Sequence, residues 1–270
     1  MIAFPNAKIN LGLQITEKLP NGYHAINTCF YPIPIHDVLE FIESKKTQFS
    51  SSGIDIPGDA KSNLVLKAYQ LLKKDFNLPN IDIHLLKNIP IGAGLGGGSA
   101  DAAFMLKALN EHFQLFLDDS FLETYAEQLG SDCPFFISNQ PAYATGTGTE
   151  LEPFDLDLKG YWMALINPGI HISTAEAYAG VTPKAANTDI REILKSKDFA
   201  IWKKELINDF EGSVFAKAPA IADIKRSLYE QGAAYAAMSG SGSSLFGIFE
   251  QEPQLMTDEW SNYFHRVFQL

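Results

Sequence analysis

The chain has 270 residues, 46% of them hydrophobic and 20% charged, with a formal net charge of −11. These values exclude a disordered or fibrous chain and predict one large or two intimately packed domains. The acidic balance excludes a general affinity for nucleic acid or an anionic membrane, which takes a basic face, so an anionic ligand has to be held by a few local donors.

The first fifty residues read as strands: Ala7 to Thr16 alternates Ile9, Leu11, Leu13 and Ile15, Pro20-Asn-Gly22 signals a turn, Ala25 to Ile33 resumes, and Val38 to Ile42 follows. Ser62 is placed to cap a helix reaching Phe76, and Asn77-Leu-Pro-Asn ends it. A strand at 81–86, a glycine-rich loop and a helix opening at Ser99 come next. A further helix, 119–129, has Gly130 as its stop. Short strands are predicted near 141–145, 149–154 and 161–166, then helices over 174–180, 188–195, 198–207 and 219–231. Strands at 233–238 and 245–249, a helix from Pro253 and a strand at 265–270 close the chain. The expected class is α+β, without regular βαβ alternation. With no repeat or Pro/Ser-rich linker, the border is expected at a crossover near 153–160, giving domains 1–155 and 156–270.

Cys29 and Cys133 cannot build a disulfide framework or a thiolate metal centre, and the six histidines include no H-x-x-x-H pair, so no metal-ligating side chains are predicted. The N-terminus has no basic segment leading into an apolar one, and no apolar run reaches ~18 residues, so a soluble, cytoplasmic protein is expected.

Five of the eleven residues from Pro90 to Ala100 are glycine. Packed elements disfavour that much glycine, so something approaches this backbone closely. The glycines open a helix, where N–H groups without helical acceptors and the positive end of the dipole make an anion site, and phosphate is the natural guest. A structural turn needs fewer glycines. Gly92-Ala-Gly94-Leu-Gly96-Gly97 also fits G-x-G-x-x-G, but Pro90 interrupts the strand before it and the motif lies a third of the way along the chain. A Walker loop is excluded because Ser-Ala-Asp stands where Lys-[Ser/Thr] would close it.

Pro90-Ile-Gly-Ala-Gly-Leu-Gly-Gly-Gly-Ser-Ala resembles the second motif of the GHMP kinases. Ala7-Lys8-Ile9-Asn10-Leu11-Gly12-Leu13 followed by Gly22-Tyr23-His24 narrows the resemblance to the 4-diphosphocytidyl-2-C-methyl-D-erythritol kinase branch, over Ala7 to about Phe249. It implies an N-terminal domain with a ribosomal-protein-S5-like fold, a ferredoxin-like C-terminal domain, and substrates in the cleft between these halves. Read alone, Lys8 and Asn10 share a strand face that solvent could cover, and His24 could be a turn histidine. In the family the matching Lys sits by the acceptor hydroxyl, and the residues matching Asn10, Tyr23 and His24 hold the substrate. A ring beside an imidazole suits a base that stacks and hydrogen-bonds, as cytosine does.

Asp132, in Gly130-Ser-Asp-Cys-Pro-Phe-Phe, could be a simple cap, yet it matches the family's catalytic Asp. Phosphoryl transfer to an alcohol needs an acceptor for the hydroxyl proton and a cation against developing charge, roles for Asp132 and Lys8. Met238-Ser239-Gly240-Ser241-Gly242 matches the third motif, which folds against the phosphate loop, although alone it could be a flexible hairpin. The resemblance adds Asn63, Lys87 and the run Pro90, Ile91, Gly92, Ala93, Gly94, Leu95, Gly96, Gly97, Gly98, Ser99 and Ala100 as ATP contacts. It gives Thr147, Thr174, Tyr178, Ser239, Gly240 and Ser241 as substrate-side positions. Thr145-Gly-Thr-Gly-Thr149 departs from the family's usual Glu-Gly-Ile-Gly-Glu, which weakens Thr147 as a contact.

The implied function is ATP- and Mg²⁺-dependent phosphorylation of the 2-hydroxyl of 4-diphosphocytidyl-2-C-methyl-D-erythritol, on the non-mevalonate route to isoprenoid precursors, by a monomer or weak homodimer. The rivals are another GHMP small-molecule kinase of homoserine or mevalonate type, a non-catalytic sensor of nucleotide and metabolite, and a dinucleotide oxidoreductase. A sensor would be expected to lack Lys8 or Asp132, and both are present.

Overall fold

The opening alternation becomes strand: after a short β1 (Ile2–Ala3), β2 runs over Asn6–Lys18 and β3 over His24–His36, with the turn at Pro20-Asn-Gly22 between them. Ile9, Leu11 and Ile15 are fully buried, and so, at 3% exposure each, are Lys8 and Asn10. The solvated face allowed by the alternation is therefore absent. Both faces of this strand are covered, and its two polar side chains are held inside.

This computed structural model describes residues 1–254 and 260–270. The chain divides into two units, one of Met1–Lys8, Pro32–Ile91 and Gly96–Gln140, the other of Ile9–Tyr31, Gly92–Leu95 and Pro141–Leu270. In the first, β4 (Val38–Glu43), β5 (Gln48–Gly53) and β6 (Ile81–Lys87) join β1 in the order β1-β4-β6-β5, with β5 parallel to β6. Its helices are α1 (Leu64–Phe76), α2 (Gly97–His112), α3 (Asp119–Glu127) and the single turn α4 (Phe135–Ser138). Val65, Ala68 and Leu72 recur at helical spacing on α1 and are fully buried, as are Ala102, Met105, Leu106 and Leu109 on α2. Each large aliphatic side chain so covered is worth ~1.5–3 kcal/mol of transfer free energy.

In the second unit, β7 (Ala142–Thr145) and β8 (Glu150–Pro153) extend a sheet of order β2-β3-β7-β8. A second sheet has the order β10-β11-β9-β12, built from β9 (Trp162–Asn167), β10 (Tyr235–Met238), β11 (Leu245–Phe249) and β12 (Phe264–Gln269). The helices are α5 (Thr174–Ala179), α6 (Ile190–Lys195), α7 (Phe199–Glu205), α8 (Glu211–Lys217) and α9 (Pro219–Glu230). Ile166, Leu228, Ala236, Met238 and Leu245 from strands and α9 share one cluster with Leu13, Ile15 and Phe210.

Several boundaries differ from expectation. The cap of α1 is Asn63, not Ser62: Asn63 is extended (φ −63°, ψ 133°) and its Oδ1 accepts from Val65 N–H at 2.9 Å. Ser62 instead falls inside a short 3-10 turn, Ala60–Ser62. α2 begins at Gly97, two residues before Ser99, and α3 closes at Gln128 rather than at Gly130. The elements β5, α4 and α8 were not expected at all. The helix expected from Pro253 falls mainly on residues 255–259, outside the described residues. No helix among the described residues is long and apolar enough to cross a membrane.

Candidate active site

In the first unit the chemistry gathers at the N-terminus of α2. Its first helical hydrogen bond runs from Ala100 N–H to the Gly96 carbonyl at 2.9 Å, so the amides of Gly97, Gly98 and Ser99 precede the helical ladder. Gly96 caps the helix in the left-handed region (φ +70°), and a Cβ there would stand 2.9 Å from Phe136 Cζ and 3.2 Å from Lys8 Cε. Only glycine lets the loop pass over both groups without strain. Beneath it, Lys8 Nζ lies 3.4 Å from Asp132 Oδ2, with the Lys8 side chain 4% exposed and that of Asp132 36% exposed.

Asp132 is aimed by its neighbours. It sits in consecutive turns, Cys133 N–H to Gly130 carbonyl and Phe136 N–H to Cys133 carbonyl, that lead into α4. Cys133, Phe135 and Phe136 are buried and anchor that turn. Burial pushes the Cys133 thiol up to about 12, so it is an inert packing group beside the carboxylate rather than a nucleophile.

Lys87 takes a different position from that of a free phosphate ligand. Its ammonium is buried between two carboxylates, donating to Asp37 Oδ2 and, at 2.7 Å, to Asp101 Oδ2. Asp37 Oδ1 also accepts the N–H groups of Asn88 (2.6 Å) and Ile89 (2.8 Å). Neither carboxylate was singled out by sequence reasoning. Burial pushes the Asp101 carboxyl up from its ordinary 3.8 to about 7, with Lys87 pulling down and Asp37 pushing up. A carboxyl raised in the folded state stabilises the fold fully below its unfolded value, and that contribution is lost as pH climbs through the folded one. Wild type should therefore lose stability relative to Asp101→Asn between about pH 4 and about pH 7. Melting temperatures of both at pH 5 and pH 8 check this, and a gap equal at the two pH values would contradict it.

Of the remaining ATP-side residues in this unit, Asn63 uses its carboxamide oxygen as the cap of α1, Pro90 and Ala100 are buried, and Ile91 is 38% exposed.

In the second unit the third motif folds onto the other part of the glycine loop, as the resemblance implied. Ser239 Oγ donates to the Gly94 carbonyl at 2.8 Å and Ser244 N–H to the Ala93 carbonyl at 3.2 Å. Gly94 (φ +78°) has no room for a side chain, since a Cβ would stand 1.9 Å from the Ser239 carbonyl oxygen. Asn10 joins the same cluster: its N–H donates to Ser239 Oγ at 3.3 Å and its Nδ2 to Thr28 Oγ1 at 3.0 Å. Asn208, missed by sequence reasoning, holds the motif from behind by donating at 2.8 Å to the carbonyls of both Met238 and Gly240. Glu211 accepts from Met238 N–H at 2.9 Å. Gly92 lies near His171, Leu95 is buried, and Ser241 is half-buried in the turn itself.

His24, the first residue of β3, stacks on Tyr178 of α5 with ring centroids 4.7 Å apart and an interplanar angle of 16°. Phe210 braces Tyr178 edge-on at 4.9 Å. The Tyr23 side chain is 63% exposed at the turn before them. Thr147 occupies the β7–β8 turn, 3.4 Å from Thr149 through their hydroxyls, and the adjoining Gly146 carbonyl accepts Ile26 N–H at 2.8 Å. Thr174 opens α5 behind the Ser173–Glu176 capping box.

Among the described residues no cluster of three or more His, Cys, Asp or Glu side chains could hold a metal ion.

Comparison with known proteins follows these motifs. The model of the GHMP kinases N terminal domain matches residues 63–141, and that of the GHMP kinases C terminal domain matches residues 189–266. A protein of Parabacteroides distasonis named 4-diphosphocytidyl-2-C-methyl-D-erythritol kinase is 54% identical over 93% of this chain and 92% of its own. One of the same name from Cytophaga hutchinsonii is 54% identical over 97% of both chains. The crystal structure of a 4-(cytidine 5'-diphospho)-2C-methyl-D-erythritol kinase superposes with a TM-score of 0.78 at 30% identity, over 92% of this chain and 90% of that one.

Proposed function

The chain belongs to the GHMP kinases, and within them to the 4-diphosphocytidyl-2-C-methyl-D-erythritol kinase family, and from that membership we propose how its residues divide the reaction. It is an ATP-dependent kinase of the 2-hydroxyl of 4-diphosphocytidyl-2-C-methyl-D-erythritol. The observation that carries the catalytic assignment is the Lys8–Asp132 pair, 3.4 Å apart beneath the Gly96 cap of α2.

In this reading the amides of Gly97, Gly98 and Ser99 and the dipole of α2 hold ATP phosphate oxygens. Asp132 accepts the proton of the acceptor hydroxyl as that oxygen attacks the γ-phosphorus. The bond from the γ-phosphorus to the β,γ-bridging oxygen breaks and ADP leaves with that oxygen. Lys8, buried and fixed, offsets the negative charge that develops on the transferring group. Mg²⁺ fits as an ion brought in on the nucleotide, because Asp37 and Asp101 are already committed to Lys87 and, among the described residues, no cluster of three or more His, Cys, Asp or Glu side chains could hold a metal ion. It would screen the phosphate charge.

The family models fall on either side of the border expected near 153–160, in keeping with domains 1–155 and 156–270, while the compact unit holding residues 141–270 also takes in Ile9–Tyr31 and with it Tyr23 and His24. The cytidyl group is assigned to Tyr23, His24 and Tyr178. The stacked pair His24–Tyr178 supports this, because a pyrimidine has the shape and polar edge to extend such a stack. Tyr23→Ala should then raise KM for the cytidyl substrate by about tenfold, a typical cost of one lost base–aromatic stack. KM for ATP should stay near wild type, and an equal rise in both would remove the assignment.

The reaction itself is tested by following ADP release with the cytidyl substrate, homoserine and mevalonate in turn. Turnover is expected with the first alone. Comparable rates with homoserine or mevalonate would overturn the substrate and leave a kinase of another type.

A further inference from the structure

We propose that the buried cluster Asp37–Lys87–Asp101 is a clamp that fixes the two ends of the phosphate-binding loop, and that Asp101 is a positioning residue for ATP acting through it. The inference rests on the reading of residues 90–100 as the ATP phosphate loop.

The cluster grips both sides of that loop. On the entry side, Asp37 Oδ1 collects the N–H groups of Asn88 and Ile89, and its own N–H donates to the Pro5 carbonyl at 2.8 Å, tying it to the N-terminal segment. On the exit side, Asp101 lies one turn into α2, and the Lys87 ammonium reaches it across the base of the loop at 2.7 Å. The two ends pass close together, for a Cβ on Gly97 would stand 2.8 Å from Ile89 Cγ2 and 3.2 Å from Lys87 Nζ. The first turn of α2, whose amides face the phosphates, is thereby fixed relative to the end of β6.

Stability alone does not account for such a group. Its three members are at most 3% exposed, and two carboxylates share one ammonium. A buried ion pair is commonly no more stable than apolar side chains of the same volume. Asp101 Oδ1 is moreover buried without a hydrogen-bond partner among the described residues, a further cost. What the cluster supplies is direction: an ammonium between two fixed oxygens sets where β6 and α2 stand. A displacement of ~1 Å at a positioned reacting group costs on the order of 10²-fold in rate, so that registry has functional weight.

Steady-state kinetics on Asp101→Ala and Asp101→Asn test this. Alanine cuts the strap, and KM for ATP should rise about tenfold, the effect of losing one charge-assisted hydrogen bond. KM for the cytidyl substrate should move less than about twofold, within ordinary additivity error. Asparagine keeps an oxygen for Lys87, so it should restore KM for ATP to near wild type. A merely structural role would lower the melting temperature and the amount of active enzyme without this split in KM. Should Asp101→Ala fail to fold, Asp101→Ser cuts the same strap and is read in the same way. An unchanged KM for ATP in the folded Ala or Ser variant, an equal rise for both substrates, or no restoration by Asn would each overturn the proposal. Gly96→Val, measured alongside, separates the two levels. If it weakens ATP binding while Asp101→Ala leaves KM for ATP unchanged, the clamp fails and the loop stands; if it leaves ATP binding intact, the loop reading itself fails.

Discussion

Asp132→Asn is expected to lower kcat by ~10²-fold or more while leaving ATP affinity close to wild type. The substitution keeps the shape of the side chain and removes the one property the reaction needs from it, the capacity to take a proton. It also exchanges the carboxylate that faces Lys8 at 3.4 Å for a neutral amide. The fold should survive, because the Asp132 side chain is 36% exposed to water and the amide oxygen of asparagine can still face the Lys8 ammonium. ATP should hardly notice the change, since its phosphates are assigned to backbone amides at the start of α2. Turnover from ADP release, ATP affinity by calorimetry and a thermal melt together separate these effects. A variant retaining more than a tenth of wild-type kcat would exclude proton transfer through Asp132.

The same pair marks how far the sequence could be read. Lys8 and Asp132 are 124 positions apart in the chain, and only a motif resemblance joined them; no periodicity in either segment encodes their meeting. The strand pattern around Lys8 was legible, but not its burial, because alternation reports which residues can face a core and is silent on what covers the other side. Helices with regular apolar spacing, α1 and α9, emerged at nearly their expected bounds. β5 did not, since Gln-Phe-Ser-Ser-Ser-Gly has no alternation and is held as an exposed parallel edge on β6. α8 was missed because Gly212 and Ser213 sit in its first turn, where propensity argues against a helix that Val214 stabilises by burial.

The same limit hid the cluster at the base of the loop. Asp37 follows His36 at a strand end and reads as an ordinary turn carboxylate, and Asp101 reads as one polar residue on a helix of small ones. Sequence offered Lys87 as an ATP contact and had no signal for two buried partners fifty and fourteen positions away. Burial of a third ionisable group beside two others violates local rules, and such violations concentrate where function sets the geometry. Asn208 and Glu211 are the equivalent omissions on the third motif: two residues more than twenty-five positions upstream that hydrogen-bond the backbone of Met238 and, for Asn208, of Gly240.

The loop's own test is Gly96→Val, for which both ATP affinity and kcat should fall, each by on the order of 10²-fold, the scale set by displacing a positioned group by ~1 Å. Two causes act together. The residue sits at φ +70°, a region that costs a β-branched side chain ~1–3 kcal/mol of backbone strain, so the cap of α2 should relax toward a negative φ and turn the amides of Gly97 and Gly98 away from the phosphates. The new Cβ also meets Phe136 at 2.9 Å and Lys8 Cε at 3.2 Å, and the two γ-methyls reach further, so the lysine facing Asp132 is displaced by the same change. A loss confined to ATP affinity would mean that Lys8 accommodates the methyls by bending its flexible stem, and the loop assignment would survive. Circular dichroism and a melt establish that the variant is folded before calorimetry with ATP is read. A folded Gly96→Val protein whose ATP affinity lies within about threefold of wild type would show that phosphate does not approach this backbone, since a shift below ~0.7 kcal/mol is less than one lost hydrogen bond.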